Sequence, residues 1–351
     1  MKRPNPLLIV GASGRAAAAS MRRKGYDPFV IDLFSDSDTR RLAPCLRCPF
    51  ERYPDGFIEL ARQAPEGPWM YTGALENYPD VIEEISVHRP LIGNGLAVIA
   101  EVRDPWRLAQ HLPEHVPACS ETVPAHGSWI LKPKAGAAGI GIRRANPGDT
   151  MPPGCFAQEY LEGPSYSALF FDEKLLGVTQ QLIGTRWLNA PEFRYAGNVG
   201  PLPGHPLDLL QAMGRNLVHR TGLRADWGFD FMISATGKPL VIEVNPRYTA
   251  ARELFDYAAI RRHHAVFAKG IFYAPRRFTL PADGPWSLPH GDDLVTHPDW
   301  ADIPDGLTVH EQGQPVITML VEGANAEDCL EQLRLRTERL NAEVMTRAAT
   351  L

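Results

Sequence analysis

The chain has 351 residues, 44% of them hydrophobic and 22% charged, with a formal net charge of −5. That length allows two or three domains, each with its own core. The acidic balance leaves none of the basic footprint that nucleic-acid binding needs. The 32 prolines and 30 glycines are scattered rather than gathered into a low-complexity tract, as in a turn-rich α/β protein.

Met1, Lys2 and Arg3 could open a signal peptide, but the apolar run Leu7–Val10 stops at Gly11, too soon for a signal core. No stretch approaches the ~20 apolar residues of a membrane span, so a cytoplasmic protein without a membrane partner is expected. Pro6–Val10 reads as a buried strand, Gly11–Gly14 as a turn, residues 15–24 as a helix and Pro28–Asp32 as a second strand. Such a β-α-β unit predicts a parallel sheet. A helix over 56–63, a strand over 69–72, a helix over 77–88 and a short strand over 90–93 complete a Rossmann-like domain, 1–117. Gly11–Gly14 lacks the full G-x-G-x-x-G dinucleotide fingerprint. Cys45 and Cys48 form a lone C-x-x-C without the second pair of a zinc tetrad, and read as reduced structural thiols.

After residue 128 the pattern changes to successive hairpins. Strands are expected over 128–133, 141–144, 156–161, 166–171 and 175–182, then a helix over 206–221. A hairpin of 229–233 with 239–245 and a helix over 253–269 follow. These make a second domain, 118–274. The tail, 275–351, has a Pro-rich linker (275–290), strands over 307–309 and 315–321, and a helix over 325–340.

The strongest chemical signal lies in Asp230–Arg247. Alternation along a strand puts Glu243 and Asn245 on one face, with Ile242 and Val244 on the other. A turn centred on Thr236 and Gly237 would set Asp230 opposite Glu243, with Cβ atoms roughly 4.5–5.5 Å apart. Two carboxylates that close repel unless a cation sits between them. An Asp, Glu and Asn oxygen set suits Mg²⁺, which takes water and substrate phosphates as its other ligands. Arg247 can then stabilise charge developing on a transferred phosphoryl group. Lys132 precedes a loop containing Gly136, Gly139 and Gly141, where backbone N–H groups can approach phosphate oxygens. It is not a Walker loop, because Ile142 and Arg143 replace the Lys and Ser/Thr. Residues 158–164 carry an apolar strand into a Gly-Pro break.

In this order the segments resemble the ATP-grasp superfamily, most closely its ATP-dependent carboligase and carboxylate–amine ligase branch, which includes tyramine–glutamate ligase-like enzymes. The resemblance implies a mixed α/β and α+β fold: a Rossmann-like domain, a two-lobed ATP-grasp domain and a small C-terminal cap. It implies that Lys132 holds nucleotide phosphates, with Gly136, Gly139 and Gly141 as a lid. Glu159, Tyr160 and Leu161 would bind adenine; because Ser165 stands where an acid is usual, either Glu162 takes the ribose or the ribose is held less tightly. Asp230, Glu243 and Asn245 would ligate two Mg²⁺ ions (Mn²⁺ able to substitute), and Arg247 would join Lys132 in catalysis. A lysine usual ahead of the first lobe is missing, since Asp104 is followed by Pro105; Arg103 and Arg107 are the candidates to replace it. The resemblance implies that Ser13, Gly14 and Arg15 line the substrate pocket, a plain strand-to-helix turn being the alternative; Glu76 and Asn77 sit where open α/β sheets bind ligands and are further candidate substrate contacts, with helix capping as their alternative role.

The implied activity is ADP-forming ligation of a small carboxylate to an amine (or a thiol) through an acyl phosphate, acting on an amino acid or small cofactor precursor in cofactor biosynthesis, by a homodimer. The rival readings are a bicarbonate-using carboxylase, an NAD(P)-binding oxidoreductase and a non-catalytic nucleotide binder.

Overall fold

A computed structural model describes residues 5–261, 265–286, 295 and 298–347. Met1–Arg3 lie outside these residues, as does part of the expected linker.

The first sheet is parallel throughout, in the order β3-β2-β1-β4, from β1 (Pro6–Val10), β2 (Asp27–Asp32), β3 (Cys45–Arg47) and β4 (Trp69–Tyr71). Along β1, Leu7 and Ile9 enter one apolar core with Ala17, Ala18 and Met21 of helix α1 (Arg15–Arg23). Leu8 and Val10 enter the opposite core with Phe57 and Ile82. Those two come from the other-face helices α3 (Gly56–Gln63) and α4 (Pro79–His88), while α2 (Ser37–Leu42) follows β2. Burial on both faces is why the strand is an unbroken apolar run rather than an alternating one. Residues 90–93 supply only a single bridge, Leu91 to Trp69. Helices α5 (Leu96–Arg103) and α6 (Pro105–His111) lead out of this unit.

A small antiparallel sheet, β5-β8-β6-β7, holds β5 (Cys119–Ser120), β6 (Trp129–Pro133), β7 (Arg143–Arg144) and β8 (Cys155–Glu159). Facing it is an eight-stranded sheet in the order β13-β12-β9-β10-β11-β14-β18-β16. Its strands are β9 (Ser165–Phe171), β10 (Lys174–Ile183), β11 (Tyr195–Gly200), β12 (Asp226–Ile233), β13 (Pro239–Asn245), β14 (Val266–Tyr273), β16 (Trp300–Ala301) and β18 (Pro315–Gly323). A separate pair joins β15 (Phe278–Thr279) to β17 (Val309–His310). Helix α7 (Leu207–Thr221) packs on the back of the large sheet through Leu210, Met213 and Leu217, against Phe170, Trp227 and Phe229. The last helix, α9 (Ala326–Arg347), covers β14 and β18. The tail strands β18 and β16 therefore extend the central sheet.

One expected helix is wrong in part. Helix α8 is Arg252–Arg261, and Lys269 lies in β14. Val266–Tyr273 is buried between β11 and β18, and its aromatic and β-branched residues suit a central strand. The missed strand β11 beside it carries two glycines, Gly197 and Gly200, which dilute the strand signal.

A buried ion cluster joins the first sheet to the large one. Arg15 donates to both Glu253 oxygens at 2.9 and 3.1 Å and, through Nε, to Asp302 at 2.9 Å. Lys269 reaches the same Glu253, and Tyr257 donates to it at 3.0 Å. Burial alone would raise the Glu253 pKa, but Arg15 and Lys269 more than offset it and hold the carboxyl at about 2. Its folded pKa lies below the unfolded value of about 4.3. The stabilisation is thus complete above that pH and lost as pH falls from about 4.3 toward 2. Glu253→Gln leaves two buried cations short of their counter-charge, and a loss of roughly 3–5 kcal/mol is expected. Urea unfolding at pH 7 measures it, and the acid-side slope between about pH 4.3 and 2 should flatten in the variant.

Candidate active site

A cleft of about 1800 Å³ lies between the small sheet, the cleft face of the large sheet and the strand ends of the first domain. Asp230 and Glu243 pair across β12 and β13, but the turn does not lie where the spacing predicts. Ser234 and Lys238 close a loop one position away from it, and a bulge between Asp230 and Phe231 restores the pairing. The bulge brings Ile242 into the cleft lining with Glu243 and Asn245, correcting the expectation that it faces away with Val244. Its carbonyl accepts from the Lys132 ammonium at 3.0 Å and from Gln158 at 3.5 Å. One irregular residue thus delivers both the carboxylate pair and a seat for the lysine.

Asp230 accepts from Ser167 at 2.6 Å and from Asn245 at 3.1 Å. Burial, then the Glu243 charge, push its carboxyl up to about 6, against those hydrogen bonds and one from Gln181. Glu243 goes the other way: burial works to raise it, but Arg103 and then Lys132 hold it below the usual carboxylate range. Arg247 lies 2.8 Å from Glu76 and donates to Asn245 at 3.1 Å. A Cβ on Gly73 would stand 2.8 Å from the Arg247 guanidinium, so a side chain there would push the guanidinium aside. Among the described residues no group of three or more His, Cys, Asp or Glu could hold a metal. The two carboxylates and one amide oxygen of Asp230, Glu243 and Asn245 fit instead an ion that shares its coordination with phosphate and water, as Mg²⁺ does.

The glycine loop closes over this site. Arg103 and Asn77 both donate to the Gly136 carbonyl at 3.1 Å, and the Tyr195 N–H donates to the Ala138 carbonyl at 3.2 Å. Gly139 has φ +74° and passes so close to the 193–194 backbone that a Cβ would lie 1.8 Å from the Phe193 carbonyl oxygen. Glu159, Tyr160 and Leu161 line the cleft, with the Arg144 guanidinium 3.4 Å above the Tyr160 ring. Glu162 is exposed and outside the lining, and Gly141 is also outside it.

On the first-domain side Ser13 and Arg15 line the cleft, beside Phe34, Phe50 and Tyr53. Gly14 does not; it packs against Val30 and donates to Asp32. Neither Glu76 nor Asn77 caps a helix: Glu76 holds Arg247, and Asn77 holds the loop and accepts from Arg103 at 3.0 Å. Arg107 pairs with Glu101 at the surface, while Asp104 caps α6 through the N–H groups of Trp106 and Arg107. Arg103, Ser167 and Asn198 are site residues with no motif of their own. Ser167 was reachable only through register, since β9 pairs it with Asp230.

The Cys45 thiol is pushed up to about 12 by burial, and all five cysteines are free. A thiol raised that far stays protonated and unreactive near neutral pH. No helix among the described residues is long and apolar enough to cross a membrane.

The sequence profile of the ATP-grasp domain matches residues 102–251. An uncharacterized protein of Methanocaldococcus jannaschii is 23% identical, covering 95% of this chain and 94% of its own length. Among solved structures, N5-carboxyaminoimidazole synthetase of Staphylococcus aureus, complexed with ADP, superposes with a TM-score of 0.65 at 13% identity, over 96% of this chain and 98% of that one. L-amino acid ligase of Bacillus licheniformis gives 0.64 at 14% identity, over 97% and 98%. The profile lies across the lysine, the glycine loop and the acidic hairpin, so residues 102–251 carry an ATP-grasp domain, and the fold is shared with these solved structures along nearly the whole chain.

Proposed function

We propose that the protein is an ADP-forming carboxylate–amine ligase that activates a small carboxylate with Mg-ATP. The observation that carries this reading is the face-to-face pair Asp230 and Glu243, bracketed by Lys132, Arg103 and Arg247 at the floor of a closed-lid cleft. Mg²⁺ bound there would neutralise charge on the nucleotide phosphates. Asp230, Glu243 and Asn245 would supply its protein oxygens, and one or two ions can be held when phosphate completes the shell. Lys132 orients the phosphates, and the Gly136–Gly141 loop excludes water over them. Arg247, kept in place by Glu76 and Gly73, faces the charge that grows as the substrate carboxylate takes the phosphoryl group. The amine then displaces phosphate from the acyl phosphate. Such a reaction rests on positioning and charge stabilisation, without a side-chain nucleophile. The ADP-bound synthetase and the amino-acid ligase that share this fold support the assignment.

Two observations weigh on the rivals. Asp32, at the end of β2, spends its carboxylate on the N–H groups of Gly14, Phe34 and Ser35, so it is not free for the ribose hydroxyls of a dinucleotide. The cleft also continues past the hairpin to Phe34, Phe50 and Tyr53, an apolar wall that bicarbonate alone does not use. The cytoplasmic homodimer, the substrate-side domain 1–117 and the placement in a biosynthetic branch for amino-acid or cofactor precursors belong to the same proposal.

ADP release with Mg-ATP across a panel of acids and amines tests the ligase. One acid–amine pair should drive turnover, and Glu243→Gln should lower it by at least about 100-fold. ATP binding with no ADP formed on any pair would favour a binder. Loss of the Lys132 charge in Lys132→Met should raise the KM for ATP by about tenfold or more, and Gly139→Val, unable to follow the loop past Phe193, should do likewise. Unchanged ATP affinity in both variants would remove the phosphate role of this loop.

A further inference from the structure

Arg103 is the last residue of α5, ahead of the small sheet. Its side chain is only 12% exposed and reaches Glu243 through Nη1. Through Nη2 it donates to the Asn77 carboxamide at 3.0 Å and to the Gly136 carbonyl at 3.1 Å. The acidic hairpin, the glycine lid and the strand end of the first domain thus meet at one guanidinium.

Three cations surround the hairpin, and their partners differ. Lys132 is turned to the Ile242 carbonyl. Arg247 is shared between Glu76, Asn245 and the Tyr248 carbonyl. Arg103 is the one of the three that sits on a carboxylate oxygen of the metal-binding pair. A guanidinium nitrogen on one Glu243 oxygen occupies a lone pair that a divalent ion would need, and it supplies positive charge that lets two carboxylates stay close.

We propose that Arg103 is a positioning residue with two linked tasks. It is the resident counter-cation of Glu243, competing with the divalent ion for that carboxylate, and it latches the lid at Gly136. When nucleotide and metal enter, the guanidinium gives up Glu243 to the ion and turns to phosphate, keeping its hold on the lid. This rests on reading the hairpin as the nucleotide–metal site. The competition has a sign that a purely structural residue would not produce: removing Arg103 should tighten metal binding while loosening nucleotide binding.

The test is Mn²⁺ binding without nucleotide, read from the free-ion electron paramagnetic resonance signal. It is paired with calorimetric binding of a non-hydrolysable ATP analogue in Mg²⁺, for the wild type, Arg103→Ala, Arg103→Lys and Arg103→Ala/Glu243→Gln. Arg103→Ala should bind Mn²⁺ about tenfold more tightly than wild type and the analogue about tenfold more weakly. Arg103→Lys, which keeps the charge and checks that the fold survives, should remain near wild type for Mn²⁺. The double variant should lose the gain. Mn²⁺ affinity in Arg103→Ala equal to or below that of the wild type, with an unchanged melting curve, overturns the competition. If the wild type binds the analogue but Arg103→Ala binds it equally well, the latch falls while the ligase reading stands. Absence of both Mn²⁺ and analogue binding in every form would sink the nucleotide-site reading and this proposal with it.

Discussion

Two carboxylates held face to face on adjacent strands repel one another, and Asp230 and Glu243 are kept together by what surrounds them. Their pKa values are driven apart: burial and its neighbour push Asp230 up to about 6, while Arg103 and Lys132 hold Glu243 down. The hydrogen bonds from Ser167 and Asn245 orient Asp230, and the bulged Ile242 turns its carbonyl to Lys132. Remove the pair and Arg103 would lose its ionic partner. Keep the pair without the neighbouring cations, and one carboxylate would take up a proton rather than stay charged. The site is an electrostatic balance set by the backbone register of one hairpin.

That balance depends on parts far apart in the chain being locked together. Arg247 reaches across to Glu76, and Arg103 and Asn77 hold the lid from the first-domain side. The Arg15–Glu253–Lys269–Asp302 cluster fastens that domain to the large sheet. Such a buried cluster adds little net stability over an apolar contact, because desolvation offsets most of the attraction. It does demand one geometry. A shift of the first domain would leave buried charges unpaired, so the cleft wall is held in register with the acidic hairpin. The polar face of the large sheet, running from Asp230 through Ser167 and Asn198 to Lys269, is what joins the two ends.

Local pattern determined a good part of this protein. The apolar run of β1, the helix over 56–63, the strand over 239–245 and the pairing of Asp230 with Glu243 were all legible, because strand burial and two-residue alternation are properties of neighbouring residues. The pairing was nevertheless reached through a turn placed one position off, and only the bulge made it right. Strand β11 and the strand around Lys269 were not legible. Their glycines and buried lysine acquire meaning only beside β10, β18 and Glu253. The resemblance implied a missing lysine with Arg103 and Arg107 as the candidates, and tertiary structure turns Arg103 toward Glu243 and Arg107 toward Glu101. Asp104 caps α6, which leaves Arg107 on the surface with Glu101 and points Arg103 inward. A sequence determines which residue types can bind phosphate and metal, since that is chemistry carried by the residue. Which of them face one another is decided by long-range packing, because partners such as Arg103 and Glu243 or Lys132 and Ile242 lie more than a hundred residues apart and no local rule connects them.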